Sequence, residues 1–260
     1  MLDLAELWEY RDLLLTIASR DIKIRYKQTA LGVTWVLVQP ILAGGIFAFV
    51  FGRVANLPAP AGIPYFLFVL AGLLGWTLFS TTLLRASGSM VSHAHLVGKV
   101  YFPRLVLPLS GIFTALLDFG VVFALLLVLL PIFWHWPPAT IFLLPIPLAL
   151  LLALSLGLGL IAAAVSVRYR DIAWVLPTAV QFLLYASPVA YSTAAVPAAY
   201  RFLYFLNPLA ALLDWCRWSM LGIGDISTPH VLYAAGVSIG LLIVGSLVFQ
   251  RMERTFADVI

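Results

Sequence analysis

The chain has 260 residues, of which 63% are hydrophobic and only 10% charged, with a formal net charge of +4 and a pI near 9.3. Soluble domains are roughly 45–50% apolar and about 25% charged, so a water-soluble globular domain is excluded. The basic balance does not point to nucleic acid either, because the cations sit in short patches beside long uncharged runs.

Of the fifteen Lys and Arg, twelve fall in four patches. They are Arg11, Arg20, Lys23, Arg25 and Lys27; Arg85, Lys99 and Arg104; Arg168 and Arg170; and Arg251 and Arg254. Only Arg53, Arg201 and Arg217 lie elsewhere. Residues 28–52, 54–84, 119–167, 172–200 and 226–250 contain no Asp, Glu, Lys or Arg. A hydrocarbon core about 30 Å thick takes roughly 20 apolar residues per helix. The chain is therefore expected to be an all-α integral membrane protein, a single transmembrane domain over 1–260.

Residues 1–30 come first, and 3–27 carry helical periodicity. Leu4, Leu7, Trp8, Leu14, Leu15, Ala18, Ile22 and Tyr26 share one face, with Glu9, Thr16, Arg20, Lys23 and Lys27 opposite. Leu13 and Ile17 interrupt the pattern. A basic amphipathic helix beside a span is expected in the headgroup plane; packing on a neighbouring subunit is the alternative. Mixed acids and bases here leave no signal-peptide core, so the first span is expected to serve as its own uncleaved signal.

Spans one to five are expected within 31–191, at about 31–52, 64–84, 105–131, 140–166 and 172–191. The fifth contains Pro177 and ends at Ser187-Pro188. Residues 192–230 are apolar but broken by Pro197, Asn207-Pro208, Gly222, Gly224 and Pro229. Their pieces are too short to cross, which fits short re-entrant helices facing outward beside a cavity. The sixth span is 231–250, and 251–260 is a cytoplasmic tail. With alternating loops, the twelve clustered cations fall inside and the other three outside. The positive-inside rule then puts both termini in the cytoplasm. No internal repeat is evident, which counts against folds built from inverted repeats.

The search for chemistry is mostly negative. A phosphate-cradling loop needs GxxxxGK[ST], and the one Gly-Lys pair, Gly98-Lys99, is followed by Val100. His93 and His95 lack the further ligands a zinc site wants. His135, between Trp134 and Trp136, is expected in an interfacial loop. Cys216 is the single cysteine and is expected to be a structural thiol. Asp118 is the one acid inside an apolar span, and an intramembrane carboxylate is costly. Its partner is expected to be Thr114, one turn away, or a cation on another helix. Asp214 and Arg217, at i and i+3, are expected to pair. The small residues of Ser155-x-Gly157-x-Gly159 and beyond let helices approach closely in lipid. Core packing is the main expectation, and a dimer seam the alternative.

Four motifs in order resemble those of one family. They are Arg20-Asp21-Ile22-Lys23-Ile24-Arg25-Tyr26-Lys27-Gln28-Thr29 leading to Leu31-Gly32, Trp35 and Gln39-Pro40; Val97-Gly98-Lys99-Val100-Tyr101-Phe102-Pro103-Arg104 ending in Leu107-Pro108; Val167-Arg168-Tyr169-Arg170-Asp171-Ile172; and Ala186-Ser187-Pro188-Val189 followed by Asn207-Pro208-Leu209. The chain resembles the membrane subunits of type-2 ATP-binding-cassette exporters, within them the permeases for O-antigen, teichoic acid and capsular polysaccharide. The resemblance covers nearly the whole chain. It implies a homodimer in the bacterial inner membrane, served by two separate nucleotide-binding ATPase subunits, with a lipid-linked polysaccharide as substrate. No cofactor is implied in this chain, since ATP and Mg would be bound by the partner ATPase. It is not expected to be an enzyme.

The resemblance also implies a coupling helix at about 87–103, including Leu96, Val97 and Lys99, with Arg104, Arg168 and Arg170 as further ATPase contacts. The N-terminal helix, through Trp8, Arg20, Lys23, Arg25 and Tyr26, would add to them. By analogy, flat aromatic rings would line a sugar channel. The candidates are Trp35, Phe47, Phe51, Tyr65, Tyr185, Tyr191 and Tyr204. The alternatives are a type-2 exporter of small lipophilic compounds, a membrane enzyme acting on polyprenyl-linked sugars, and a purely structural membrane partner. The enzyme would need clustered acids such as a DxxD pair, which the chain lacks.

Overall fold

The computed structural model describes residues 8–27, 34–57, 62–97, 102–224 and 226–253. Among these, every regular element is helical. The α-helices in chain order are α1 (Arg11–Lys27), α2 (Thr34–Phe47, continued as a π-helix over Ala48–Val54), α3 (Tyr65–Ser92), α4 (Ala94–Val97), α5 (Val106–Ile132), α6 (Pro145–Arg168), α7 (Ile172–Tyr185), α8 (Arg201–Phe205), α9 (Pro208–Leu221) and α10 (Thr228–Glu253), with short 3-10 turns at Ala139–Leu143, Thr193–Ala195 and Ala198–Tyr200. Five stretches are long and apolar enough to cross a membrane: Thr34–Val54, Tyr65–Ser92, Val106–Ile132, Ala139–Arg168 and Thr228–Glu253. Each overlies an expected span.

The expected fifth span, 172–191, differs in kind. Its helix α7 has 14 residues, about 21 Å of rise, against a hydrocarbon thickness of about 30 Å. It ends where Pro188 removes a backbone donor and disfavours helical geometry at Ser187. The chain then turns through Ala186–Tyr191 instead of continuing.

Helix α3 is the axis of the bundle. Leu67, Leu70, Leu74, Leu78 and Phe79 are fully buried, because α2, α5, α6 and α9 all pack around it. A helix apolar on every side requires such surroundings.

The most extensive pairings are α3 with α6 and α6 with α10. The second depends on glycine. A Cβ at Gly157 would lie 2.5 Å from the carbonyl carbon of Leu241, and one at Gly245 would overlap the Gly157 carbonyl. Gly159 faces Ala86 and Leu83 of α3. The small-residue run is thus used for packing inside one chain. Core packing was the main expectation for it, and without Cβ atoms the two backbones of the same chain touch.

Helix α9 shows its sequence signals directly. Asn207 caps it by accepting from the Leu209 N–H at 3.1 Å, and Pro208 takes the first turn. Gly222 closes it at φ 69°, where a side chain would be strained. This is the Asn-Pro…Gly punctuation of a short helix.

Helix α1 packs along α5. Its buried positions are Ile17 and Ala18, with Tyr10, Leu13 and Leu14 partly covered. Trp8 and Leu15 are exposed. The apolar face expected from periodicity is therefore corrected. Leu13 and Ile17, which interrupt the pattern, belong to the buried face. The reason is that the partner helix, not the periodicity, selects the face: Ile17 sits in a cluster with Phe102, Leu105 and Val106.

Candidate functional site

Two polar centres stand out in an otherwise hydrocarbon bundle. The first is at Asp118. It lies 12 residues into α5, about 18 Å along a helix about 40 Å long. Arg25, near the C-terminus of α1, meets it at 2.9 Å (Nη1 to Oδ2). Of the expected partners, the cation on another helix is the one present; Thr114 Oγ1 is buried and makes no hydrogen bond. An ion pair satisfies the carboxylate at a depth where an isolated charge is very unfavourable.

The pair forms part of the wall of a cavity of about 380 Å³. Helices α2, α3, α5 and α7 contribute the rest of the wall, including Gln39, Phe47, Trp76, Thr77 and Thr81. Trp76, Thr77 and Thr81 escaped sequence reasoning. Their only signal is that a tryptophan and two hydroxyls fall on one side of a span, at i, i+1 and i+5.

The second centre is the buried Arg217 of α9. Its Nη1 donates to Asp214 Oδ1 at 3.0 Å, as the i, i+3 spacing predicts. Its Nη2 donates to the carbonyls of Pro188 and Val189, the latter at 3.1 Å. The guanidinium lies 4.0 Å from the Phe68 ring centroid, a cation–π contact. A Cβ at Gly72 would come within 2.5 Å of Nη2, so that glycine makes room for the arginine. One side chain thus joins α3, α9 and the turn that ends α7. Asn207 reinforces the joint, donating from Nδ2 to Ser187 Oγ at 3.0 Å. Two motifs twenty residues apart, Ser187-Pro188 and Asn207-Pro208, meet here.

Among the described residues, the expected coupling positions lie at helix ends, and their arginines do not all face solvent. Arg104 turns inward. Its backbone N–H donates to Glu253 Oε1 at 3.1 Å and its guanidinium to the Glu253 carbonyl, so it fastens the start of α5 to the end of α10. Arg168 and Arg170 are exposed, with the Arg168 guanidinium 5.7 Å from the Tyr169 ring centroid. Leu96 and Val97 fall in α4; Lys99 lies outside the described residues. His93 is buried at the end of α3, with Nε2 3.9 Å from Asp21 Oδ1 on α1. Of the N-terminal set, Trp8 is exposed beneath Arg11. Arg20 lies 3.6 Å from Asp21, Lys23 is exposed, and Tyr26 belongs to α1.

The seven aromatic candidates separate into groups. Phe47 lines the cavity and touches Phe51 edge-on at 5.9 Å. Tyr65 donates its hydroxyl to the Ala190 carbonyl at 2.7 Å, which gives it a structural bond. Tyr191 donates to the Tyr185 carbonyl at 3.1 Å and packs near Tyr204 at 6.3 Å between centroids. Trp35 and Tyr185 are exposed on the bundle surface.

A bundle of long apolar helices with a partly polar cavity among them defines an integral membrane protein. The sequence pattern of the ABC-2 type transporter family matches residues 12–221, and the chain belongs to that family. It is a multi-pass membrane protein. It is similar from end to end to the O-antigen export system permease protein RfbA of Myxococcus xanthus, 31% identical over 255 residues, 97% of each chain. It is also similar to the RfbA of Klebsiella pneumoniae, 27% identical over 251 residues, 96% of this chain and 95% of the relative.

Proposed function

We infer that this chain is the permease subunit of a transporter that exports a lipid-linked polysaccharide across the bacterial inner membrane. The observation that carries this reading is the end-to-end likeness to two O-antigen export permeases. Likeness over 96–97% of the chain includes the broken segment after α7 as well as the long spans. The permease works as a homodimer with two separate ATPase subunits, which bind ATP and Mg; it holds no cofactor of its own and catalyses no reaction. The missing phosphate loop agrees with that division of labour.

The chain crosses six times, α7 and the turn after it completing the fifth passage. Both termini are cytoplasmic, supported by the twelve cations that alternation of the spans puts in the inside segments of the sequence. α1 meets the membrane interface with its N-terminal half. Residues 192–221 form the outward-facing re-entrant pair, and Arg217 holds it to α3. ATP binding draws the ATPase subunits together, and their contacts at 87–104, 168 and 170 bias the permease between states through differential contacts.

Deleting the gene tests the reading. Polymer should vanish from the surface and accumulate inside, still attached to its lipid. Unchanged surface polymer would overturn it, and loss in both places would point to an enzyme of synthesis. A second test addresses the outer aromatics. Tyr185→Ala with Tyr191→Ala should slow surface appearance of polymer while permease abundance stays unchanged; wild-type export would remove both residues from the channel.

A further inference from the structure

We propose that the small polar cavity beside Arg217 is a subsite for the hydroxyl edge of one neutral sugar residue of the exported polymer. The idea rests on the reading above that the chain exports a polysaccharide and that residues 192–221 face outward.

The cavity holds about 90 Å³ and lies between α3, α9 and the 3-10 turn at Thr193–Ala195. Phe68, Ser192, Thr193, Asp214, Arg217 and Ile223 line it. Arg217 is only 3% exposed. Its two Nη atoms are bonded to Asp214, Pro188 and Val189, but its Nε–H has no hydrogen-bond partner. A buried donor left unpaired is costly, and buried polar groups in native proteins nearly always find a partner. The cavity that Arg217 lines is the place for that partner.

The lining also defines the partner's chemistry. A lone anion would meet the Asp214 carboxylate, and a lone cation the guanidinium. The ligand that suits both is neutral, donating to one and accepting from the other, as a vicinal diol does. Asp214 receives one bond from Arg217 Nη1 and one from the Thr193 side chain. A carboxylate has about four acceptor positions, so it keeps capacity for a ligand hydroxyl. The Thr193 oxygen, donating to Asp214, can still accept. At about 30 Å³ per water, the space takes a few waters or the diol edge of a pyranose, and not a whole ring. Contact through one edge holds a sugar loosely, so the polymer is positioned without being retained.

The test uses the permease–ATPase complex in detergent with Ile223→Cys as reporter. The native Cys216 is buried, so a water-soluble maleimide reads position 223. The probe is lipid-free polysaccharide from the same cells, with sodium sulfate as the anion probe. Polysaccharide at about four times its Kd should slow labelling about five-fold by simple occupancy, and sulfate should leave it unchanged. Adding Thr193→Val, which removes one hydroxyl at nearly constant volume, should raise the concentration for half-protection about five-fold. The melting midpoint supplies a second reading in the chain with native Ile223: polysaccharide should raise it, and less so with Thr193→Val.

Unchanged labelling and midpoint with polysaccharide would overturn the proposal and leave the cavity to water. So would a cysteine at 223 that the maleimide never reaches. Equal protection by sulfate would overturn it in favour of an anion site, and equal half-protection with Thr193→Val would put the polymer's contact elsewhere. A deletion strain with unchanged surface polymer would remove the polysaccharide reading itself. Lost surface polymer with no protection at 223 would remove only this subsite.

Discussion

Arg217→Ala should be the most damaging single substitution outside the helix crossings. It leaves Asp214 without its cation and two carbonyls of the Pro188–Val189 turn without their donor. Removing one partner of a buried ion pair costs about 3–5 kcal/mol, because the remaining charge stays desolvated. At roughly 2–4 °C per kcal/mol for a chain of this size, the melting midpoint should fall by about 6–20 °C. Thermal unfolding of the detergent-solubilised protein, followed by size-exclusion chromatography, measures this. Arg217→Lys should recover little, since an ammonium cannot reproduce the planar fork that reaches Asp214 and the turn together. The double change Arg217→Met with Asp214→Asn should be milder than Arg217→Ala alone, because no orphaned charge remains. Equal midpoints for Arg217→Ala and wild type would remove Arg217 from its role as the joint.

The second large effect is at the α6–α10 crossing. Gly157→Val places a Cβ 2.5 Å from the Leu241 carbonyl carbon, about 1 Å closer than ordinary contact. The obstacle is helix backbone, which cannot rotate away as a side chain would. Overpacking of a core costs about 1–3 kcal/mol and more when nothing relaxes, so the cost here should be at least about 3 kcal/mol. Gly240→Ala on α10, the partner helix of this crossing, is the control. Nothing lies within 4 Å of its added Cβ, and alanine improves helix propensity by about 1 kcal/mol. Folded yield in detergent should collapse for Gly157→Val and hold or rise for Gly240→Ala. Similar yields for both would mean that the crossing is not close-packed.

Much of the architecture was legible because lipid imposes a length rule. Five expected spans correspond to helices of membrane-crossing length, and the Asn207-Pro208 and Gly222 signals bounded α9. The fifth span was less legible. Composition records that 172–191 is apolar, but the turn at Ser187-Pro188 is stabilised by Arg217 from thirty residues away, a tertiary contact no local pattern carries. The face of α1 was misread for a related reason: Ile17 is buried by α5, while Trp8 stays exposed. At the site, Asp118 was legible as a lone membrane acid and Asp214–Arg217 as a spaced pair. The pairing of Asp118 with Arg25 was not, since 93 residues separate them. Arg104, expected among the ATPase contacts, is bonded to Glu253, 149 residues further along the chain.

The function proposed above is that this permease moves a lipid-linked polymer at the expense of ATP in partner subunits. The most direct measurement is transport by inside-out vesicles carrying the reconstituted permease and its ATPase. The account predicts that lipid-linked polymer added outside becomes protected in the lumen when ATP is supplied, and not with a non-hydrolysable analogue. Absence of polymer uptake by vesicles that accumulate a small lipophilic dye would contradict the account and establish the small-compound exporter instead.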